Sequence, residues 1–303
     1  MKVTVKIPAT SANLGPGFDT LGMALSFYDE YQAEVTPSGL QIEVHGEGAD
    51  DIPTDESNLI FQTIKSVFAK VGKPVPGLKI TCHNHIPHGR GMGSSGAAVS
   101  GGVMLAAGLL STEREFSEAE LLRFATDIEG HPDNVAPALF GGLTIAWVDN
   151  DGPHHKKLTV HRGVSPLVLV PPNQMSTKLA RSLQPDSVPH TDAVFNVSRS
   201  ALLVAALTQS PELMFAATED RLHQNYRASA MPETSKLIEL LRENGHAAVV
   251  SGAGPSVLVL EIDPKERVRA IHLAKENFPA WLPLTLAVDY KGASVEMQFG
   301  SGA

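Results

Sequence analysis

Hydrophobic and polar residues alternate along several short stretches of the chain, and elsewhere the hydrophobic positions recur at helical spacing. Val3, Val5 and Ile7 alternate with polar residues, which is typical of a strand with one buried face. Between Asn58 and Val71 the hydrophobic residues recur every three or four positions and predict an amphipathic helix. The pattern predicts strands over residues 3–7, 40–44, 78–86, 143–148, 167–170, 247–250, 257–260, 284–288 and 293–297, and helices over residues 58–71, 94–110, 117–129, 134–140, 192–208, 211–218, 234–244 and from 263 onward.

This mixture of strands and helices indicates the fold class. Several strands alternate, so we expect antiparallel sheets that carry helices on one face, an α+β fold. The polar stretch 149–155 is rich in Asp, Asn, Gly and Pro and predicts a turn, where we place a domain boundary. The sequence thus predicts an N-terminal domain over residues 1–152 and a C-terminal domain over residues 153–303.

Composition and charge exclude some classes of partner. No apolar run is long enough to cross a bilayer and the first residues lack a signal-peptide core, so we expect no membrane partner. The single cysteine, Cys82, leaves no internal disulfide and favours a cytoplasmic location. A net charge of -9 argues against nucleic acid as the main partner. A phosphate ligand would have to be attracted locally, by helix N-termini, backbone N–H groups, a metal ion or a few arginines.

The segment PHGRGMGSSGAA, residues 87–98, concentrates glycine and serine and runs directly into the predicted helix 94–110. Glycines let the backbone approach an anion, and a helix N-terminus offers unpaired N–H groups and partial positive charge. The same residues match the dinucleotide motif G-x-G-x-x-G, although the strand before them alternates instead of being apolar throughout. A loop for nucleoside triphosphate, a dinucleotide loop and a flexible turn with a serine cap all remain open.

Four segments together resemble one enzyme family. They are the glycine-serine segment, PATSANLGPGFDTLGMAL (residues 8–25), EGHPDNVAPALFGG (residues 129–142) and SGAGPSVLVL (residues 251–260). In this order they resemble the GHMP kinases, and residues 8–25 and 129–142 are similar to the homoserine kinases among them. Met92 and Gly96 depart from the usual Leu and Ala, but neither change removes a phosphate ligand. The resemblance implies the GHMP kinase fold, with an N-terminal ATP-binding domain like ribosomal protein S5 domain 2 and a ferredoxin-like C-terminal domain.

The resemblance also implies an activity. This is phosphorylation of the hydroxyl of L-homoserine by ATP, with Mg²⁺, to give O-phospho-L-homoserine in threonine biosynthesis. It further implies a homodimer. Asn134 stands where some relatives have an aspartate base, and an amide cannot accept a proton at neutral pH. We therefore expect direct in-line transfer without a dedicated general base, which a loose transition state permits. Asp133 as a base remains open.

Single residues receive roles from the same resemblance, matched position by position. The expected catalytic residues are Asn134, Arg181 and Arg227. The expected ATP-binding residues are Pro87, His88, Gly89, Arg90, Gly91, Met92, Gly93, Ser94, Ser95, Gly96 and Ala97. Asn58 is a candidate for the adenine from its position at the start of the predicted helix 58–71, not from the resemblance. The expected homoserine-binding residues are Asn13, Asp19, His131, Thr177, Arg181, Arg227 and Gly252, and the expected Mg²⁺ ligands are Ser95 and Glu129.

Structural interpretations compete with these roles. Asn58 and Asn134 are also good helix caps, Asp19 is a common turn residue, and an isolated arginine is usually solvated. Other functions stay open as well: a GHMP kinase for another alcohol, a nicotinamide-dependent oxidoreductase, or an inactive nucleotide-binding regulator. The two arginines favour an acceptor that carries a carboxylate, since the guanidinium group binds carboxylates through two hydrogen bonds.

Overall fold

The computed structural model describes residues 1–299, which fold into two antiparallel or mixed sheets covered by helices. The strands are β1 (Lys2–Ala12), β2 (Leu21–Thr36), β3 (Leu40–Gly46), β4 (Gly77–Asn84), β5 (Leu143–Asp149), β6 (Gly152–Leu158), β7 (Ser165–Val170), β8 (Ala248–Val250), β9 (Val257–Glu261), β10 (Leu282–Thr285) and β11 (Ser294–Gln298). The helices are α1 (Leu59–Lys70), α2 (Ser94–Leu109), α3 (Glu118–Glu129), α4 (Pro132–Phe140), α5 (Thr177–Ser182), α6 (His190–Thr208), α7 (Met214–Ala217), α8 (Gln224–Arg227), α9 (Pro232–Glu243) and α10 (Pro264–Asn277).

The larger sheet has the order β11–β1–β2–β4–β3, and β5 extends it by pairing with β2 on one side and β6 on the other. Helix α2 lies directly against this sheet because its glycines leave no side chain in the way. A Cβ on Gly101 would come within 2.3 Å of the Tyr31 ring, and one on Gly108 within 2.6 Å of Val3. The abundance of small residues in α2 therefore reflects close packing against β1 and β2.

The smaller sheet has the order β10–β7–β9–β8 and is antiparallel throughout. Its strands and helices follow in a β-α-β-β-α-β arrangement, which is the ferredoxin-like topology. Its outer face packs on α9 and α10 through a separate apolar cluster, which includes Leu167, Leu169, Leu237, Leu241, Val257, Val259, Ala270 and Ala274. The predicted α+β class is confirmed. Among residues 1–299 no helix combines the length and apolar character needed to cross a membrane.

The predicted domain boundary falls inside a hairpin. Residues 152 and 153 lie at the start of β6, which pairs with β5 of the larger sheet. Strand β11 also returns to that sheet, beside β1. Residues 300–303 of the predicted C-terminal domain lie outside the described residues. The division at residue 152 stays a prediction.

Several elements differ from those expected. The polar stretch 149–155 is not only a turn, since β6 begins at Gly152. Strand β2 was not predicted, because Leu21 to Leu25 are all buried and show no alternation. The helix expected from residue 134 begins at Pro132, with His131 as its N-cap. Asn134 therefore lies within the first turn of α4, and its interpretation as a cap is wrong.

Candidate active site

Three glycine-rich connections meet at one place between the sheets: β1–β2, β4–α2 and β8–β9. The Gly252 backbone N–H donates to the carbonyl of Ala12, with an N···O distance of 3.1 Å. The Ser251 hydroxyl lies 2.6 Å from the Gly91 carbonyl oxygen and 2.9 Å from the Ser11 hydroxyl. These hydrogen bonds hold segments that are far apart in sequence as one continuous wall.

The β4–α2 connection forms an anion cradle. Gly91 and Gly93 have φ angles of 70° and 73°, which place them in the left-handed region where a side chain is strained. Gly93 is the N-cap of α2 and supplies no side-chain cap, so the N–H groups of the first turn stay available to a ligand. A cavity of about 160 Å³ lies against them, lined by Gly89, Gly91, Gly93, Ser94, Ser95, Gly96, Glu129, His131, Asn134, Thr177 and Gly252, among others.

The other residues of the segment 87–97, also predicted to bind ATP, do not line that cavity. Pro87, Met92 and Ala97 are buried. Arg90 donates to the carbonyl oxygens of the two prolines that follow β7, at 3.0 and 2.9 Å, so its guanidinium ties the connection to the second half of the chain. His88 lines a neighbouring cavity instead. The strand that leads in, β4, is buried on alternate residues, unlike the doubly buried strand before a dinucleotide loop.

A second cavity of about 300 Å³ borders the same connection and has a mainly apolar lining. Tyr31, Cys82 and Ile60 contribute to its wall, and Ser95 lies at its edge. Burial raises the pKa of the Cys82 thiol to about 12, so this thiol is uncharged at neutral pH. An apolar slot beside an anion cradle suits the base of a nucleotide.

Asn58 lies on the rim of this apolar cavity, but its amide is already used. Its Oδ1 accepts from the N–H groups of Ile60 and Phe61 at 3.0 and 3.3 Å, and its Nδ2 donates to the Pro53 carbonyl at 2.8 Å. It is the N-cap of α1, as the structural interpretation expects. A direct contact between Asn58 and adenine stays a prediction.

Ser95 and Glu129 meet at the mouth of the anion cradle. The Ser95 hydroxyl donates to Glu129 Oε2 at 2.9 Å, so the two predicted metal ligands are in contact. Burial raises the pKa of Glu129, and the hydrogen bond from Ser95 opposes the rise only in part. In residues 1–299 no three His, Cys, Asp or Glu side chains converge as a metal site. Any Mg²⁺ here would complete its shell with phosphate and water oxygens, which are the hard ligands it prefers.

His131 and Asp133 form a pair beside this site. His131 Nδ1 lies 2.6 Å from Asp133 Oδ1, and Asp133 is only 2% exposed. Burial alone would lower the pKa of His131, but the hydrogen bond and the charge of Asp133 outweigh it, and the pKa is raised overall. The Asp133 carboxylate is thus committed to the imidazole, and protonation of His131 adds positive charge next to the cradle.

The His131–Asp133 pair predicts a pH-dependent contribution to stability. A raised folded-state pKa means that the pair stabilises the protein below the unfolded pKa of histidine and that this stabilisation disappears as pH rises through the folded pKa. His131→Gln is expected to lower the Tm by about 2 °C near pH 6 and by less near pH 9. Thermal unfolding across this range measures the difference. His272→Gln, on the exposed face of α10, is the control, and an equal deficit at both pH values would contradict the assignment.

The β1–β2 connection carries two of the predicted substrate residues. The Asp19 carboxylate accepts hydrogen bonds from both terminal nitrogens of Arg181, at 3.0 and 3.3 Å. Asp19 and Arg181, both predicted to bind substrate, are therefore paired with each other. The Asn13 amide donates to the Gly252 carbonyl at 2.8 Å and accepts from the Asp19 N–H at 3.0 Å. Asn13 therefore fixes the position of Asp19. Its direct contact with substrate stays a prediction.

Arg227 lies at the end of α8 and is buried next to the β8–β9 connection. Its side chain is 2% exposed, and one terminal nitrogen donates to the Gly252 carbonyl at 3.3 Å. Its guanidinium lies 5.2 Å from the centre of the Phe18 ring. Burial lowers the pKa of Arg227, and within residues 1–299 its Nε has no hydrogen-bond partner. A buried cation with an unused donor is suited to an anionic ligand group.

A cavity of about 470 Å³ adjoins the anion cradle. Thr177 and Arg181 of α5 line it together with Ser95, Glu129 and His131. This cavity shares Ser95, Glu129, His131 and Thr177 with the cavity of the anion cradle, and the two form one cleft.

Sequence reasoning did not anticipate His223. It is fully buried, lies 2.7 Å from the Gly15 carbonyl through Nε2, and stacks on Phe18 with ring centres 4.9 Å apart. Burial lowers the pKa of His223, so the imidazole is neutral and donates Nε2–H to Gly15. His223 supports the connection that carries Asp19. No spacing or motif signal distinguishes this histidine from others in the chain.

Comparisons with known proteins agree with this geometry. The family model for the GHMP kinases N terminal domain matches residues 58–142, and that for the GHMP kinases C terminal matches residues 199–280. The homoserine kinase of Leifsonia xyli subsp. xyli is 66% identical over 295 residues, covering 97% of this chain and 91% of that protein. The homoserine kinase of Clavibacter michiganensis subsp. michiganensis is 63% identical over 298 residues, covering 98% and 94%.

A solved structure shows the same fold over nearly the whole chain. The crystal structure of homoserine kinase from Cytophaga hutchinsonii matches with a TM-score of 0.87 and 27% sequence identity, covering 97% of each chain.

Proposed function

The chain belongs to the homoserine kinases of the GHMP kinase family, and we propose that it transfers the γ-phosphoryl group of ATP to the hydroxyl of L-homoserine. The products would be ADP and O-phospho-L-homoserine, an intermediate of threonine biosynthesis. The observation that best supports this proposal is the position of Arg227, a buried cation with an unused donor that contacts Gly252, a residue lining the cavity of the anion cradle. We also propose that the protein acts in the cytoplasm as a homodimer.

The charges of the cleft complement those of an amino acid. Arg227 and Arg181 offer guanidinium groups for a carboxylate, and Asp19 offers a carboxylate for an ammonium group. Without substrate, Arg181 and Asp19 form an ion pair that is partly exposed to solvent. A zwitterion can therefore insert between them and pair with both, which leaves neither charge unpaired. Binding in this way would direct the substrate hydroxyl toward the anion cradle.

On the nucleotide side, the N–H groups around Gly91 and Gly93 and the N-terminus of α2 would hold the phosphates. The apolar cavity next to Ser95 would hold the adenine. This arrangement fixes both reactants before transfer, which supplies much of the catalysis in a reaction with a loose transition state.

The surroundings of the reacting hydroxyl favour transfer without a dedicated base. Asn134 cannot take a proton at neutral pH, and Asp133 already accepts from His131. The hydroxyl proton would leave with the phosphorylated product or pass to water as the new bond forms.

Ser95 and Glu129 fit Mg²⁺, because a hydroxyl and a carboxylate in contact at the cradle mouth are both oxygen donors. When bound, Mg²⁺ would offset negative charge on the β- and γ-phosphates. The chain's own part is to hold both oxygens beside the cradle, with Glu129 half-buried and the charges of His131 and Arg181 nearby.

Arg227→Ala is expected to raise the KM for L-homoserine by about 30-fold while leaving the KM for ATP nearly unchanged, because it removes a charge-assisted hydrogen bond to the carboxylate. Steady-state kinetics with each substrate varied measures both. The matched control is Arg242→Ala, which removes another partly buried arginine that contacts backbone carbonyls away from the cleft. An equal loss of ATP affinity in Arg227→Ala would contradict the assignment.

A panel of alcohols tests the proposed substrate. L-Homoserine is compared with 3-amino-1-propanol, which lacks the carboxylate, 4-hydroxybutanoate, which lacks the ammonium group, and mevalonate. The proposal predicts the highest kcat/KM for L-homoserine and no effect of Arg227→Ala on the residual reaction with 3-amino-1-propanol. Preference for mevalonate or another alcohol would overturn it.

A further inference from the structure

The side chain of Thr10 lies at the back of the cleft, where β1, the anion cradle and α4 meet. Its hydroxyl is fully buried and donates to Asn134 Oδ1 at 2.9 Å. Its backbone N–H donates to the Met92 carbonyl at 3.0 Å. The β1–β2 pairing shifts register between Pro8 and Ala9, just before this position, and such bulges redirect side chains near active sites.

The hydroxyl of Thr10 also touches the end of the anion cradle. A Cβ on Gly93 would lie 1.9 Å from Thr10 Oγ1, so only a glycine at the N-cap of α2 leaves room for this hydroxyl. Thr10 thus contacts the residue that opens α2 and the side chain of Asn134 at once. The contact with Thr10 uses Oδ1 of Asn134 and does not involve its Nδ2.

A carboxamide has a donor end and an acceptor end, and the two point in different directions. Because Oδ1 is held by Thr10, Nδ2 is the end of the amide left for a ligand in the cavity that Asn134 lines with Ser95, Gly96 and Glu129. A donor in that place can stabilise negative charge on a phosphoryl group in transfer, whereas an acceptor there would repel it. The orientation of the amide therefore decides whether Asn134 helps or hinders the reaction.

We propose that Thr10 is the positioning residue that fixes this orientation, so that Asn134 acts as a hydrogen-bond donor to the transferred phosphoryl group. The inference rests on the proposed function. It assigns to Asn134 a donor role and to Thr10 the task of enforcing it.

The test is a double-mutant cycle with Thr10→Val and Asn134→Ala, in which kcat and both KM values are measured. Thr10→Val removes the hydroxyl at nearly constant shape and is expected to lower kcat by about tenfold, with each KM changed less than about threefold. Thr10→Ser keeps the hydroxyl and should restore most of the lost kcat. In the Asn134→Ala background, Thr10→Val should lower kcat no further.

The control is Thr144→Val, which removes another fully buried strand hydroxyl, one bonded to the Gly22 carbonyl at 3.4 Å. It should leave kcat unchanged. The proposal is overturned if Thr10→Val lowers kcat by the same factor with and without Asn134, because the effect then passes through Gly93 and the cradle. It is also overturned if Thr10→Val has no effect or acts mainly on the KM for ATP. Homoserine-dependent turnover by the unaltered protein would survive either result, so the proposed function is judged separately.

Discussion

Glu129→Gln is expected to lower kcat by about 1000-fold and, at neutral pH, to raise the Tm. The loss of activity follows from removing the carboxylate that contacts Ser95 at the cradle mouth, where phosphate charge must be offset. The gain in stability follows from burial, which raises the pKa of Glu129 and so makes its ionised form costly in the folded protein. The two changes are measured by steady-state kinetics and by thermal unfolding.

The size of the stability change depends on pH. A carboxyl group whose folded-state pKa is raised contributes stability below its unfolded pKa and loses that contribution as pH rises through the folded pKa. The higher Tm of Glu129→Gln should therefore be present at pH 7.5, on the order of 2 °C, and fade toward about pH 4. Glu118→Gln, in the exposed first turn of the same helix, is the control and should retain activity. A variant that is inactive and less stable at neutral pH would contradict the account of Glu129.

Gly91→Ala is expected to lower kcat/KM for ATP by more than about 100-fold, because it moves the anion cradle out of position. A Cβ on Gly91 would lie 2.1 Å from the Ser251 carbonyl oxygen and 2.9 Å from the Gly254 backbone, atoms that cannot turn aside. The φ of 70° adds conformational strain of roughly 1 kcal/mol. The substitution therefore pushes the cradle away from the β8–β9 connection.

Gly72→Ala separates the effect of the steric contact from the effect of the backbone strain. Gly72 has the same φ of 70°, but nothing lies within 4 Å of a Cβ there. It should lose a little stability and no activity, whereas Gly91→Ala should lose both. The comparison uses Tm and kinetics with ATP varied. Equal effects of the two substitutions would show that the contact between the cradle and the β8–β9 connection does not matter.

The alternation of a strand with one buried face could be predicted from the sequence. The fully buried start of β2 was missed, although the equally buried β7 and β9 were predicted as short apolar runs. Strand β4 alternates strictly between buried and half-exposed positions, so its pattern is visible in the residues alone. In β2 the first five residues are all buried, because β1 and β5 flank them and α4 lies so close that a Cβ on Gly22 would meet the Asp133 carbonyl at 2.0 Å. Such burial erases the alternation on which the prediction depends.

For the site, the residues could be predicted but the contacts between them could not. Resemblance to the GHMP kinases named Asp19 and Arg181, and the structure places them together, but their pairing could not be predicted because 162 residues separate them. Likewise Thr10 resembles any β-branched strand residue, and only the tertiary structure reveals its contact with Asn134. Contacts between distant segments depend on how the connections fold against each other, and a single sequence carries no local signal for that.

The most direct test of the proposed reaction is ADP release by the purified protein with ATP and Mg²⁺, in the presence and absence of L-homoserine. The account predicts that release depends on L-homoserine and that each ADP is matched by one molecule of O-phospho-L-homoserine, seen by ³¹P NMR. Protein that binds ATP but releases ADP at the same rate with and without L-homoserine, and forms no phosphorylated amino acid, would contradict it.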